Sequence, residues 1–167
     1  MTQARKGGTR LRSGDVLAVT ADDQKWLLCY CGRDASLGDT VWVRSGAMHS
    51  SERVDCASFS GDGFYAFYPA TTALRQGLVT REGFCAEGMR LLPPLRRIKC
   101  SPGLDGEPMT WRIAADANIG TPFTLRSRLT EAEARIPEGA IWNHAFLVDR
   151  LRAGWHPVSE GDEGDRS

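Results

Sequence analysis

Between Gly14 and Gly46 three apolar runs, "GDVLAV", "KWLLCYCG" and "DTVWVRSG", are separated only by "ADDQ" and "RDASLG". Each run is rich in β-branched or aromatic residues and each separator has turn composition, so the segment predicts an antiparallel β-meander. In the third run Val41 and Val43 alternate with Trp42, which sends the valines to one side of the pleat and the indole to the other. "ERVDCASFSG" and "GFYAFYP" extend the β reading to about Pro69.

"ATTALRQG" then breaks the pattern. Thr71 or Thr72 can cap a helical turn, Leu74 faces inward and Gly77 ends it. "LVTREGFC" and "MRLLPP" read as further extended pieces, closed by Pro93-Pro94. "RRIKC" and "MTWRIA" flank the turn cluster "SPGLDGEP", which predicts a hairpin with its loop from Ser101 to Pro108. From Leu129 the code is helical. Thr130 and Glu133 make a capping box, and Pro137 stops that helix after about two turns.

The closing stretch "GAIWNHAFLVDRLRAGWHP" has two parses. A single helix over 140–155 sets Trp142 and Phe146 apart on one side as a hook for a partner. Asn143 as N-cap and Gly154 as the residue past the C-cap give instead a helix over His144–Ala153, with Pro157 just beyond. Trp142 and Leu147 are then a hydrophobic staple. Val148, Leu151 and Trp155 form a stripe that closes over the sheet. Cap chemistry favours the second parse. The expected organisation is a single domain over 11–157, β-rich in 13–113 and helical in 129–154, with disordered tails at 1–10 and 158–167.

Composition narrows the function classes. Lys plus Arg and Asp plus Glu balance at 21 each, so no general attraction to nucleic acid or an anionic membrane is expected. No apolar run approaches the roughly 18–20 residues of a membrane span, and "MTQARKGGTRLR" lacks the apolar core of a secretory leader. The five cysteines, Cys29, Cys31, Cys56, Cys85 and Cys100, are an odd set that reads as reduced thiols in a cytoplasm.

No catalytic or cofactor fingerprint is present, so neither an enzyme nor a cofactor is expected. Cys29-x-Cys31 puts two thiols on one side of a strand, but zinc pairs usually take two to four intervening residues. No metal site is expected, and each cysteine reads as a small buried hydrophobe. His49, His144 and His156 fall in no metal spacing. The basic cluster "RLLPPLRRIKC" offers Arg96, Arg97 and Lys99 as an anion or phosphate patch; the alternative is a strand edge protected by charge. Aromatics interleave with charge near Trp42, Arg44, Tyr65 and Tyr68, as in small nucleic-acid-binding barrels.

Several separated motifs resemble the bacterial immunity protein 26 family, encoded beside polymorphic toxins. "SGDVLAV" with "KWLLCYCGR" resembles that family's opening, and "FYAFYPATTALRQGLV" its passage from strand to helical turn to strand. "LLPP", "WRI" and "IPEGAIWNHAFLVDRLRAGWHP" resemble its later part, so the likeness runs from about Ser13 to Pro157. The resemblance implies an α+β fold: a small, strongly bent antiparallel β-sheet or SH3-like barrel with a C-terminal helical segment packed on it. It implies a cytoplasmic bacterial protein that neutralises a cognate toxin by direct protein–protein binding. The alternative is a small β-barrel nucleic-acid-binding or regulatory module. Immunity proteins often present acidic surfaces. Gly14–Gly63 holds eight acidic residues against four basic ones, and its expected partner-binding residues are Asp22, Asp23, Asp34, Asp39, Asp55, Asp62 and Trp42. Charge there would mainly raise on-rate and specificity.

Overall fold

The structure is a computed structural model that describes residues 10–34, 38–91, 96–100, 110–114 and 124–155. The expected meander is present as β1 (Asp15–Ala21), β2 (Gln24–Asp34) and β3 (Gly38–Arg44), all antiparallel. A two-residue turn joins the first two strands, with Ala21 opposite Gln24. Both turn residues have positive φ, 52° at Asp22 and 61° at Asp23. That is the requirement of a type I′ turn, which Asp tolerates and whose twist suits a hairpin.

β4 (Met48–His49) pairs with the start of β2, β5 (Gly63–Phe67) with β3, and β6 (Thr80–Phe84) with β1, giving six antiparallel strands. α1 (Ala70–Arg75) follows β5 directly. β7 (Arg96–Cys100), β8 (Thr110–Ala114) and β9 (Thr124–Arg126) form a second antiparallel run. The hairpin expected of "RRIKC" and "MTWRIA" is therefore present; its Ser101–Pro108 loop lies outside the described residues. β10 (Glu138–Ile141) lies between β5 and β7, parallel to both, and joins the two groups. Among the described residues the pairings run as an open path from β6 to β9.

Two extended expectations are corrected. Cys56–Phe59 is a 3₁₀ turn, because Asp55 accepts from the Ser58 amide at 3.0 Å while the Ser58 hydroxyl accepts from the Asp55 amide at 3.1 Å. That reciprocal box competes with strand pairing. Gly88–Leu91 is a second 3₁₀ turn. The polar tails expected at 1–10 and 158–167, Arg10 apart, lie outside the described residues, as do His156 and Pro157.

The apolar runs of β1 and β2 are continuous because both faces of the sheet are covered. On one face Leu17, Val19, Leu28, Val41, Val43 and Phe64 pack beneath Ala70 and Ala73 of α1 and Leu147 and Leu151 of α3 (His144–Arg152). On the other, Val16, Ala18, Leu27 and Cys29 meet Phe59 and Cys85. Val41 and Val43 take the helix side and Trp42 the opposite one, as the alternation requires.

α3 follows the capped parse. Asn143 Oδ1 accepts from the Phe146 amide at 2.9 Å. Gly154 has φ 64°, and the Trp155 and Gly154 amides reach the Arg150 and Leu151 carbonyls at 3.0 and 3.1 Å. This pair of bonds is a Schellman motif. Trp142, Val148 and Trp155 pack against the helix-side core with Leu151, while Phe146 points to solvent. Complete burial of Leu147 contributes on the order of 1.5–3 kcal/mol. α2 (Glu131–Ala134) keeps its capping box, with Thr130 Oγ1 accepting from the Glu133 amide at 3.2 Å. It is one turn, shorter than expected. The Pro137 carbonyl beyond it accepts from the Arg97 amide at 3.0 Å, which starts β10 alongside β7.

One consequence is pH-dependent. His144, first in α3, shares a 2.8 Å hydrogen bond between Nδ1 and the Tyr68 hydroxyl. Burial holds its pKa below the ordinary histidine value, and the positive end of the helix disfavours imidazolium as well. The neutral ring is preferred when folded, so the unfolded chain takes up the proton first as pH falls through about 6.5. Stability should be flat above that range, decline below it and level off beneath the folded pKa. His144→Gln should flatten this part of the urea-midpoint profile between about pH 7.5 and about pH 5; an unchanged profile would rule His144 out as its source.

Candidate functional site

The expected acidic residues divide between the two ends of the sheet. β1 ends, β2 begins, β3 ends and β5 begins at the same end, and the connections there carry Asp22, Asp23 and Asp62. All three are exposed. Asp55, exposed as well, lies on the connection that leads from β4 to β5 at this end. The Asp22 carboxylate pairs with Arg152 of α3 at 3.0 Å. Both side chains are well exposed, so this contact is worth less than about 1 kcal/mol and leaves the carboxylate open to a partner. The Asp23 carbonyl accepts from the Ser50 amide at 2.9 Å, and the Asp62 carbonyl from Ser45 at 2.9 Å. Their backbones are thus fixed while their side chains face water. Glu52 is committed locally: its carboxylate accepts from the His49 amide at 2.6 Å.

Asp34 and Asp39 belong to the other end, where β2 finishes and β3 begins, and both are buried. They are corrected as members of an acidic surface. Asp39 has become a junction. Oδ2 accepts from the Thr71 amide in the first turn of α1 at 2.8 Å, and Oδ1 pairs with Arg33 at 3.2 Å. Burial first, then the charge on nearby Asp39, pushes the Tyr30 hydroxyl up to about 12. The local cap expected from Thr71 or Thr72 is replaced by a carboxylate from a strand 32 positions earlier. Pro69, at the N-cap position, supplies no side-chain bond.

Trp42 is half-buried between Phe59 on one side and Tyr65 and Phe67 on the other. A Cβ at Gly63, which lies opposite Arg44 and diagonal to Trp42, would come within 2.6 Å of its Nε1, so the indole covers a position that can have no side chain. That is a packing role, unlike the partner contact expected of Trp42.

The basic cluster is likewise corrected as a solvent-facing patch. β7 is an interior strand between β10 and β8, and Arg96 and Arg97 are buried. Arg97, 2 % exposed, stacks on Trp111 with its guanidinium carbon 4.5 Å from the ring centroid and pairs with Glu138 at 3.4 Å. The protected-edge alternative fails for the same reason. The Lys99 side chain lies outside the described residues.

The buried thiols of Cys29 and Cys31 face the same side of β2, and Cys31 donates to the Gly88 carbonyl at 3.7 Å. The neighbouring Cys31 thiol, then burial, pushes Cys29 well up. Burial, then a hydrogen bond with Cys56, raises Cys85 to about 11. Both shifts favour the unreactive thiol. Among the described residues no three His, Cys, Asp or Glu side chains converge to hold a metal, and no helix is long and apolar enough to cross a membrane.

One feature at the Asp39 end had no counterpart in the sequence reading. An open cavity of about 220 Å³ lies between the starts of β3 and α1 and the ends of β5 and β10. Phe67, Tyr68, Ile141 and Trp142 supply its apolar walls, and Arg33 and Asp39 its charge. No single segment encodes it: it draws on residues from Arg33 to Trp142.

Comparison of the chain with models of known families, with curated proteins and with solved structures found no match.

Proposed function

We propose that this chain is an immunity-type binding protein, acting in the bacterial cytoplasm, that neutralises a cognate toxin by direct protein–protein contact. The observation that carries the reading is the set of exposed carboxylates Asp22, Asp23 and Asp62 at one end of the sheet, held on hydrogen-bonded connections. Rigid placement lowers the ordering cost of binding, and carboxylates of one sign favour encounter with a basic surface. The resemblance to the immunity protein 26 family supports the same reading, with its expectation of a strongly bent, SH3-like sheet. The occupied and buried state of Arg96 and Arg97 favours it over a nucleic-acid module.

The test must remove charge without damaging the hairpin, because Asp22 and Asp23 sit at positive φ and a lysine at either position would strain the turn. Asp22→Asn with Asp23→Gly installs the pair that type I′ turns prefer; Asp62→Asn completes the set. The triple variant should unfold at the same urea concentration as the parent or a higher one. Its association rate with the toxin at low salt should fall about tenfold, with a flatter salt dependence. An unchanged association rate would remove this end of the molecule from the interface.

A further inference from the structure

We propose that the cavity at the Asp39 end is a binding site for a small organic carboxylate with an aromatic or branched aliphatic body, distinct from the acidic end and independent of the toxin-binding reading. Size, wall chemistry and the state of Arg33 lead to this ligand class.

At about 220 Å³ the cavity is smaller than the roughly 300–1,000 Å³ of sites for drug-sized ligands. It therefore suits a compact molecule. Its walls combine the rings of Phe67, Tyr68 and Trp142 with Ile141, which is 58 % exposed on the rim. An apolar body entering here would cover Ile141 and contact aromatic faces already fixed by the core.

The charged element is Arg33, whose side chain is 70 % exposed yet tied to a carboxylate that is only 3 % exposed. Asp39 is itself held by the Thr71 amide, so Arg33 is anchored to a rigid group. One terminal nitrogen, Nη1, makes the 3.2 Å contact with Asp39. A guanidinium carries five N–H donors in a planar fork and can bridge two carboxylates. Its solvent-facing edge is thus a pre-positioned donor for the ligand's carboxylate, and Asp39 keeps the fork from swinging away. A neutral ligand of the same shape would gain the walls alone. A cationic one would meet Arg33 and be repelled.

Calorimetric titration with phenylacetate, isovalerate and the neutral phenylacetamide tests the assignment. At least one of the two carboxylates should bind saturably at millimolar concentration or below, and phenylacetamide about tenfold or more weakly than phenylacetate, reflecting loss of a charge-assisted bond. Arg33→Gln should lower carboxylate affinity by a similar factor. Because that change also alters the setting of Asp39, Ile141→Glu provides a second variant: it places a negative charge on an exposed rim position and should abolish carboxylate binding with an unchanged unfolding midpoint. Binding that is equal for phenylacetate and phenylacetamide overturns the proposal. So does binding insensitive to both substitutions, or no saturable binding by either carboxylate. None of these outcomes depends on the toxin.

Discussion

Asp39→Ala should destabilise the protein by about 1–3 kcal/mol, a large loss for a single polar side chain. The carboxylate is buried and is held from two elements: it accepts from the Thr71 amide at the head of α1 and pairs with Arg33 at the end of β2. Removing it strips α1 of a side-chain cap, since Pro69 offers none; a lost cap costs about 1 kcal/mol. Because the Thr71 amide at this part-buried junction then lacks its acceptor, the loss extends into the range of about 1–3 kcal/mol. The ion pair adds little, because Arg33 returns to water. Asp39→Asn keeps one acceptor oxygen and should recover part of the loss. Urea unfolding of both variants decides the matter, and a loss below about 1 kcal/mol for the alanine would mean that α1 is held by Ala70 and Ala73 alone.

Trp155→Ala is expected to cost about 2–3 kcal/mol, below the usual 3–5 for a fully buried tryptophan because this one is half-buried. Its ring lies edge-on to Phe64 at 5.3 Å and to Trp142 at 4.8 Å, and such pairs contribute about 0.5–1.5 kcal/mol each beyond area. Arg150 lies over the same ring at 5.6 Å. The residue therefore ties the C-terminal end of α3 to β5 and to the chain entering the helix. Asn143→Ala, which removes the N-cap, should cost about 1 kcal/mol. Both variants should lose stability before they lose a partner. A Trp155→Ala protein of parental stability that fails only in binding would make this end of the helix a contact surface instead.

The parts of the fold that were legible share a local cause. The β1–β2–β3 meander follows from alternating composition and two-residue or similarly short turns. The ends of α3 follow from Asn143 and Gly154, whose side-chain oxygen and positive φ act within one helical turn. Val41, Trp42 and Val43 divided between faces because the pleat has a period of two. The parts that were not legible depend on residues far apart in sequence. Nothing local places Glu138–Ile141 parallel to both β5 and β7, so β10 has no counterpart in the sequence. Nothing local distinguishes Asp39, buried beneath α1, from Asp22, exposed in a hairpin. Both stand beside Gly, Asp or Thr in turn-like surroundings. Arg96 and Arg97 look like a surface cluster until β10 and β8 enclose their strand on both sides. Cys56–Phe59 falls within the expected extended segment "ERVDCASFSG", while the Asp55–Ser58 box that curls it needs only a three-residue spacing. That signal was present and outweighed by hydrophobicity.

The candidate site divides along the same line. The exposed carboxylates could be found from the sequence because turns keep their polar side chains in water. The cavity could not, since Arg33, Tyr68 and Trp142 come together only once β3, β5 and β10 are side by side.

The most direct measurement of the central claim is co-expression of the chain with the product of its neighbouring gene, followed by growth. If the chain is an immunity protein, the neighbouring product alone should arrest growth and co-expression of the parent chain should restore it. The Asp22→Asn, Asp23→Gly, Asp62→Asn variant, folded to the same level, should restore it less well. A neighbouring product that is toxic yet equally lethal with and without the parent chain would contradict the account.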